Sequence, residues 1–593
     1  MKNRAEIEEK YKWDITKFCK SDDDFYKRLN SLGNKIKVIK TYEGKLTQDD
    51  ILFECLEKCY ALNKEFGFLT LYSELSKKVD NADTMANEMC DKLSILGTKY
   101  STYSAYIDVE LAGFSDEKLK NLQKDRRFKN YKRNFQAVRR SKKHILSKSE
   151  ELLISKLGDF LGGYSDNFDK FADVDLDFGE IEDSKKNKHP FNQSNFTLYA
   201  ESEDRTLRKN AYKRMNGKFG EFINFIANNY ASDVKEACTF AKIRNYESAL
   251  SREIYEEEAS EKVYHLLIKK ARENVKILQD FYEIKRKALK LDRVAIYDTF
   301  APISKMPKLK FTFEEAIELI KKALSVLGDD YVALIDKAVK ERWIDVYPNL
   351  NKDSGAFSWG CYGATPVVLC NFEGNLSSVF TLAHELGHAM HSYLSNTHQP
   401  IQTAGYVIFV AEVASITNEM LLLDYLLKNA KTDEEKKYYY DYFLTEVRST
   451  IFRQTMFSEF EEWAHKTFEN GEALTRESLC KTYKNLNDFY HGKDVEEIDE
   501  MQYEWARIPH FYSHFYVYKY ATGMISAINI ARNILKKTDG TVEQYKKFLS
   551  SGSTASPIIL LKRCGADLEK EETYNAVFAY CKDYVKNMEK LVK

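Results

Sequence analysis

The chain has 593 residues, far more than one minimal core needs, so more than one lobe is expected. With 44% hydrophobic residues, 31% charged residues and a net charge of −1, it reads as an ordered protein with no general attraction for nucleic acid or anionic membranes. The ten cysteines are dispersed without a Cys-x-x-Cys, no apolar run approaches the roughly 18 residues of a membrane span, and Met1–Lys10 lacks an apolar signal core, so a cytoplasmic protein with reduced thiols is expected.

Only 8 prolines and 24 glycines interrupt the chain, which predicts long helices and a mostly α fold. The lysine-rich stretch Lys118–Lys148 also carries acidic and apolar positions, so it reads as solvated helix faces. Residues 158–198 are rich in Gly, Asp, Asn and Ser, and Phe171–Phe178 alternates at period two. That pattern predicts a small hairpin and a lobe boundary, with an N-terminal helical lobe over 1–200 and a catalytic helical domain over 201–593. Residues 201–290 and 433–470 read as helical. Thr312 and Glu315 form a capping box ahead of an amphipathic helix, and Gly328 is its expected stop. Between Gly355 and Phe372 two short strands are expected about a turn near Ala364–Pro366, with Pro366 at a strand start or on an edge. An exposed edge there, with Gly355 at its start, suits an extended peptide held by backbone hydrogen bonds. No internal repeat of fixed period is present.

The segment His384-Glu385-Leu386-Gly387-His388 carries the clearest chemistry. Two imidazoles four residues apart share one helix face and can bind one zinc ion, while Glu385 can act as general base on a water. Val379, Leu382, Ala383, Leu386 and Met390 recur on the opposite face, the back of a helix lining a cleft. His391 shares the histidine face but lies about 10 Å along the axis from His384. It is therefore expected on the site wall or behind the ligands, and a third ligand must come from elsewhere.

Tyr406–Leu423 reads as an apolar, buried helix interrupted by Glu412 and Glu419. A carboxylate in such surroundings is costly unless paired or bound to metal, which makes Glu412 the candidate third ligand. Glu419, two turns on, can orient a ligand histidine from behind. Downstream, Arg507–Gly523 holds His510, Tyr512, Tyr516, Tyr518 and Tyr520. These are suitable donors to a carbonyl oxygen that gains charge during amide hydrolysis, and composition does not choose among them.

The segments Phe380–His388, Ala411–Ser415, Ile508–Tyr512, Tyr518–Gly523 and Ser354–Gly360 together resemble the oligoendopeptidase F group of the thimet-oligopeptidase-like zinc metallopeptidases. The resemblance extends from about Trp13 onward. It implies a mostly helical, two-lobed body with a deep internal channel and a small β-hairpin beside the active site. It implies one zinc ion on His384, His388 and Glu412, with Glu385 as base. It also implies His510 and a downstream tyrosine as oxyanion donors, and Tyr520 fits by spacing, with Tyr512, Tyr516 and Tyr518 as rivals. The expected activity is endopeptidase cleavage of short peptides. A zinc exopeptidase and a non-catalytic peptide-binding protein are the alternatives. Oligomeric state has no signature in the sequence.

Overall fold

The computed structural model describes residues 2–157 and 161–592. Gly158, Asp159 and Phe160, the start of the predicted Gly- and Asp-rich hairpin segment, lie outside the described residues, as do Met1 and Lys593. Helices dominate, as the scarcity of breakers requires, and the strands are few and short. The fold divides into two compact units. One holds the described residues of Met1–Lys148, Lys308–Tyr425 and Ile530–Ala566; the other holds those of Ser149–Pro307, Leu426–Asn529 and Asp567–Lys593. Each unit is thus assembled from three separated stretches of chain.

In the first unit, helices Asp22–Ile39, Asp49–Val79 and Thr84–Ser104 pack on one another. Phe25, Leu32, Leu52, Leu69 and Phe128 form one core with Val367 and Leu369 of the small sheet. The Thr312 capping box forms: the Thr312 hydroxyl accepts from the Glu315 N–H at 3.1 Å, and the Glu315 carboxylate accepts from the Thr312 N–H at 2.8 Å. Its helix, Phe313–Leu324, ends in one 3-10 turn before Gly328, whose φ is +98°.

The sheet has three strands: β1 (Ile344–Asp345), β2 (Phe357–Trp359) and β3 (Val367–Leu369). β2 and β3 are the predicted antiparallel pair, and Pro366 stands just before β3. The order is β1-β3-β2, so β3 is central and β2 keeps one edge unpaired within the sheet. β1 pairs parallel with β3 and was not foreseen, because two residues carry no readable period.

In the second unit, Arg205–Glu221, Ile223–Ile243, Arg453–Glu469 and Arg476–His491 surround buried aromatics that include Tyr212, Tyr230, Phe460, Tyr483 and Trp505. The predicted hairpin is present, but it pairs Glu180–Glu182 with Lys188–Pro190. The alternating residues Phe171–Asp175 are a π-helical turn that extends helix Gly163–Lys170. Phe168 and Phe171 set a helical spacing ahead of the alternation, and Phe171 packs on Phe222 and Phe225. Val174, an inward residue in any strand reading, is 77% exposed.

Candidate metal centre

Six residues after β3, helix α1 (Leu376–His398) begins at Asn375, whose side chain accepts from the Ser378 N–H at 2.9 Å. Val379, Leu382, Ala383, Leu386 and Met390 are buried along its back, each large side chain contributing about 1.5–3 kcal/mol. The partner helix, α2 (Ile408–Asn429), lies against it at Gly387. A Cβ at residue 387 would stand 2.6 Å from the Ser415 Cα and 2.8 Å from the Ala414 carbonyl oxygen. The two backbones therefore meet where only glycine fits. Asn418 secures the same interface by donating to the Ala383 carbonyl at 3.1 Å while accepting from the Tyr331 hydroxyl at 3.2 Å.

That close approach brings Glu412 of α2 to the two histidines of α1. The Glu412 Oε2 atom is 3.4 Å from His384 Nε2 and 3.6 Å from His388 Nε2, and the two Nε2 atoms are 3.2 Å apart. A tetrahedral zinc with bonds of about 2.0–2.1 Å separates its ligand atoms by about 3.3–3.4 Å. The three edges bracket that distance, so the donor set and its spacing fit zinc. Among the described residues this is the one group of three or more His, Cys, Asp or Glu side chains gathered tightly enough to hold a metal.

The surroundings suit a cation. His384 Nδ1 is hydrogen-bonded to Glu419, which fixes the ring and turns Nε2 toward Glu412. Burial lowers the His384 pKa, but Glu412 and Glu419 outweigh it and raise it to about 10. Burial raises Glu412, yet both histidines and the Ser415 hydroxyl bring it down to about 2. Burial alone dominates at His388, lowered to about 4. A pair of carboxylates that draws a proton onto His384 draws a metal ion by the same field.

Glu385 is not among the three gathered residues. It is 7% exposed, its Oε2 atom is buried without a hydrogen-bond partner, and burial pushes its carboxyl up to about 7. Replacing Glu419 by Gln is expected to keep the fold while weakening zinc affinity about 10–100-fold, read by titration against a competing chelator. Unchanged affinity would remove Glu419 from the metal's support.

The remaining expected residues are placed as follows. His391 is 1% exposed and stacks on Tyr406 at 3.8 Å between ring centroids, with Phe548 at 5.2 Å. It stays on the histidine face of α1 but is enclosed there, because Tyr406 and Phe548 cover that part of the helix. Gly355 is exposed with φ +82°, and its carbonyl accepts from Asn371 at 2.9 Å. Gly360, just past β2, meets α1 so closely that a Cβ would stand 2.6 Å from the Ser392 Cβ. The hairpin is thus seated directly on the helix that carries the histidines.

In the second unit, a turn holds His510, and it is followed by helix α3 (Tyr518–Leu535), whose residues up to Asn529 belong to that unit. His510, Tyr516 and Tyr520 form a ring cluster, with Tyr520 6.0 Å from His510 and 5.2 Å from Tyr516. Partial desolvation and then Arg453 lower the His510 pKa. Tyr518 is 1% exposed and packs on Tyr264, whereas the Tyr512 hydroxyl accepts from Asn229 at 3.1 Å beneath Phe168. Two contributors were missed. Tyr406, whose hydroxyl is 2.8 Å from that of Ser392, was read only as the start of the apolar helix, which begins at Ile408. Asn418 could have been found as a second polar residue beside Glu419 in an apolar run.

A helical body carrying two histidines and a glutamate in this arrangement defines a class, and comparison with known proteins agrees. Residues 198–580 match peptidase family M3, and residues 110–178 match the family described as Oligopeptidase F. The chain is 34% identical to Oligopeptidase PepF of Bacillus subtilis over 593 residues, covering all of this chain and 88% of that protein. It is 36% identical to an oligoendopeptidase F homolog of Borreliella burgdorferi, covering 97% of each. The crystal structure of oligoendopeptidase-F from Enterococcus faecium superposes with a TM-score of 0.76 at 26% identity, over 96% of this chain and 99% of that one. The protein belongs to peptidase family M3, in its oligopeptidase F branch.

Proposed function

We propose that this peptidase is a zinc-dependent endopeptidase that cuts internal bonds of short oligopeptides, with one zinc ion held by His384, His388 and Glu412. The observation that carries the reading is the triangle of ligand atoms with edges of 3.2, 3.4 and 3.6 Å. When bound, zinc supplies Lewis acidity that polarises a carbonyl and lowers the pKa of a water. Glu385 takes the proton from the attacking water and later delivers it to the leaving amine. A carboxyl raised by burial is suited to both transfers near neutrality. Glu419 holds the His384 ring. His510 and Tyr520 donate to the carbonyl oxygen as it gains charge. Their shared ring cluster favours Tyr520 over Tyr518, whose ring is enclosed.

The open edge of β2, beginning near Gly355, takes the substrate backbone as an added strand, so many sequences are accepted. A deep internal channel that admits peptides and excludes folded proteins belongs to the same proposal. So does a catalytic domain over 201–593, which the family M3 match over 198–580 supports. Ten free cysteines, most of them buried, support a reducing, cytoplasmic setting.

The test is cleavage of a quenched fluorescent peptide blocked at both ends. Internal cuts, lost with a chelator and restored by zinc, are expected. Cleavage insensitive to chelator, or none of a blocked substrate, would reject the reading. His510→Phe and Tyr520→Phe are each expected to lower kcat by about 10–1,000-fold with zinc content unchanged. Tyr518→Phe is expected to leave kcat within a few-fold. A silent Tyr520→Phe beside a crippled Tyr518→Phe would reassign the donor.

A further inference from the structure

Both oxyanion donors of the proposed mechanism sit on one short stretch of the second unit, joined by a bend that no regular structure holds. Residues 509–520 run as linked turns. The Ser513 N–H donates to the His510 carbonyl at 3.0 Å, the Tyr516 N–H to Ser513 at 3.1 Å and the Tyr520 N–H to Val517 at 3.2 Å. Among them Phe515 has φ +50°, in the left-handed region that a bulky side chain seldom enters. Past this bend the rings of Tyr516 and Tyr520 meet that of His510, at 6.2 and 6.0 Å between centroids. A residue in such a conformation persists only where its surroundings enforce it.

Two side chains one turn apart on helix Arg453–Glu469 grip the bend. The Phe515 N–H donates to Glu461 Oε1 at 2.5 Å. The preceding ring, His514, has its Nδ1 atom 3.3 Å from His465 Nε2, and the Phe515 ring packs on His465 at 4.6 Å. The tautomers follow from the partners. His465 Nδ1 is 2.8 Å from the Glu461 carbonyl, which can only accept, so Nδ1 carries the proton and Nε2 accepts from His514 Nδ1. Burial lowers His465 to about 4 and His514 to about 3, so both rings are neutral near neutrality. On its other side His514 Nε2 faces Asp233 Oδ2 at 3.6 Å, a carboxyl that burial raises to about 8. Glu461, His465 and Phe515 are each 1% exposed.

Glu461 serves here as a neutral acceptor. Its Oε2 atom is buried with no hydrogen-bond partner among the described residues. Burial pushes its carboxyl well above the ordinary range against the opposing Phe515 N–H, and Glu253 and Asp233 add to the rise while Lys519 opposes it. Lys519 is itself paired with Glu257 at 2.6 Å. That ion pair ties the first turn of α3 and leaves the bend before it to Glu461 and His465. An ionised carboxylate in this interior would be costly, so Glu461 holds its proton near neutrality and glutamine reproduces both its shape and its bond to Phe515.

We infer that Glu461 is a positioning residue for the peptidase reaction: by accepting from the Phe515 N–H it fixes the bend that carries Tyr520 to His510, with His465 gripping His514 as the second support. The inference rests on the reading of His510 and Tyr520 as donors to the carbonyl oxygen. Glu461 is enclosed, so it acts through those donors and not on the substrate.

The test is steady-state hydrolysis of the quenched peptide by the zinc-loaded full chain, with the metal content of each variant measured beside it. Glu461→Met keeps the length but offers only a weak acceptor, and it is expected to lower kcat about 10–100-fold with KM and zinc content within about threefold. Glu461→Gln is expected to restore kcat to within about threefold of the unaltered chain, because the acceptor returns. The losses are expected not to multiply. In a Tyr520→Phe background Glu461→Met costs at least about fivefold less, since the donor it misplaces is already gone. In case Glu461→Met does not fold, Glu461→Asp, which keeps the carboxyl but draws it back by one methylene, carries the same comparison. Unchanged kcat in these variants, a Glu461→Gln as impaired as Glu461→Met, or losses that multiply with an impaired Tyr520→Phe would overturn the inference and leave the donors standing. A silent Tyr520→Phe would instead reject the donor reading, and this inference with it.

Discussion

Glu385→Gln is expected to lower kcat/KM by about 10²–10⁴ while the protein keeps one zinc per chain. The amide has the volume of the carboxyl, so α1 and its packing are preserved. Glu385 is not one of the three gathered ligand atoms, so removing its charge leaves the triangle of His384, His388 and Glu412 intact. What is lost is the capacity to take a proton. Glu385 carries a buried, unpartnered Oε2 atom and a carboxyl raised to about 7, the properties of a base that must both accept and return a proton near neutrality. The check is steady-state hydrolysis of the quenched peptide beside metal analysis of the same preparation. Near-normal turnover with zinc present would remove Glu385 from the mechanism.

Gly387→Ala is the second large effect, and its sign runs against helix propensity. In an unobstructed helix interior, alanine is favoured over glycine by about 0.8–1 kcal/mol. At residue 387 the added methyl would meet α2 backbone at 2.6–2.8 Å, and backbone cannot swing away as a long side chain can. The helices must separate, and Glu412 rides on the one displaced, three residues before Ser415. Overpacking of this kind costs about 1–3 kcal/mol. A shift of a few tenths of an ångström also opens the ligand triangle, so a loss of zinc affinity of about tenfold or more is expected. Gly97, inside helix Thr84–Ser104 with nothing within 4 Å of its Cβ position, is the control. Gly97→Ala is expected to raise the unfolding midpoint and Gly387→Ala to lower it, with chelator competition reading the zinc. The same sign for both would show that the contact between α1 and α2 yields easily.

The contrast between these two glycines illustrates what a sequence carries. The helix of His384 and His388 was legible because its apolar back repeats with helical period. Glu412 was legible as a charge that an apolar helix would not otherwise tolerate. The reason it reaches the histidines, a backbone contact at Gly387, leaves no trace in local pattern. The same limit explains β1, too short to show a period, and Tyr406, which covers His391 from across a loop. Phe171–Asp175 misled for the opposite reason, since an alternating run was overruled by the aromatic contacts of a helix already under way. Around Arg507–Gly523 the aromatic density itself hid the choice among tyrosines, which only burial and ring contacts begin to separate.

The most direct test of the metal assignment is anomalous diffraction at the zinc edge from crystals of the zinc-loaded protein. One peak is predicted within about 2.0–2.2 Å of His384 Nε2, His388 Nε2 and a Glu412 oxygen. A peak bound to other residues, or to the two histidines with Glu412 turned away, would contradict it.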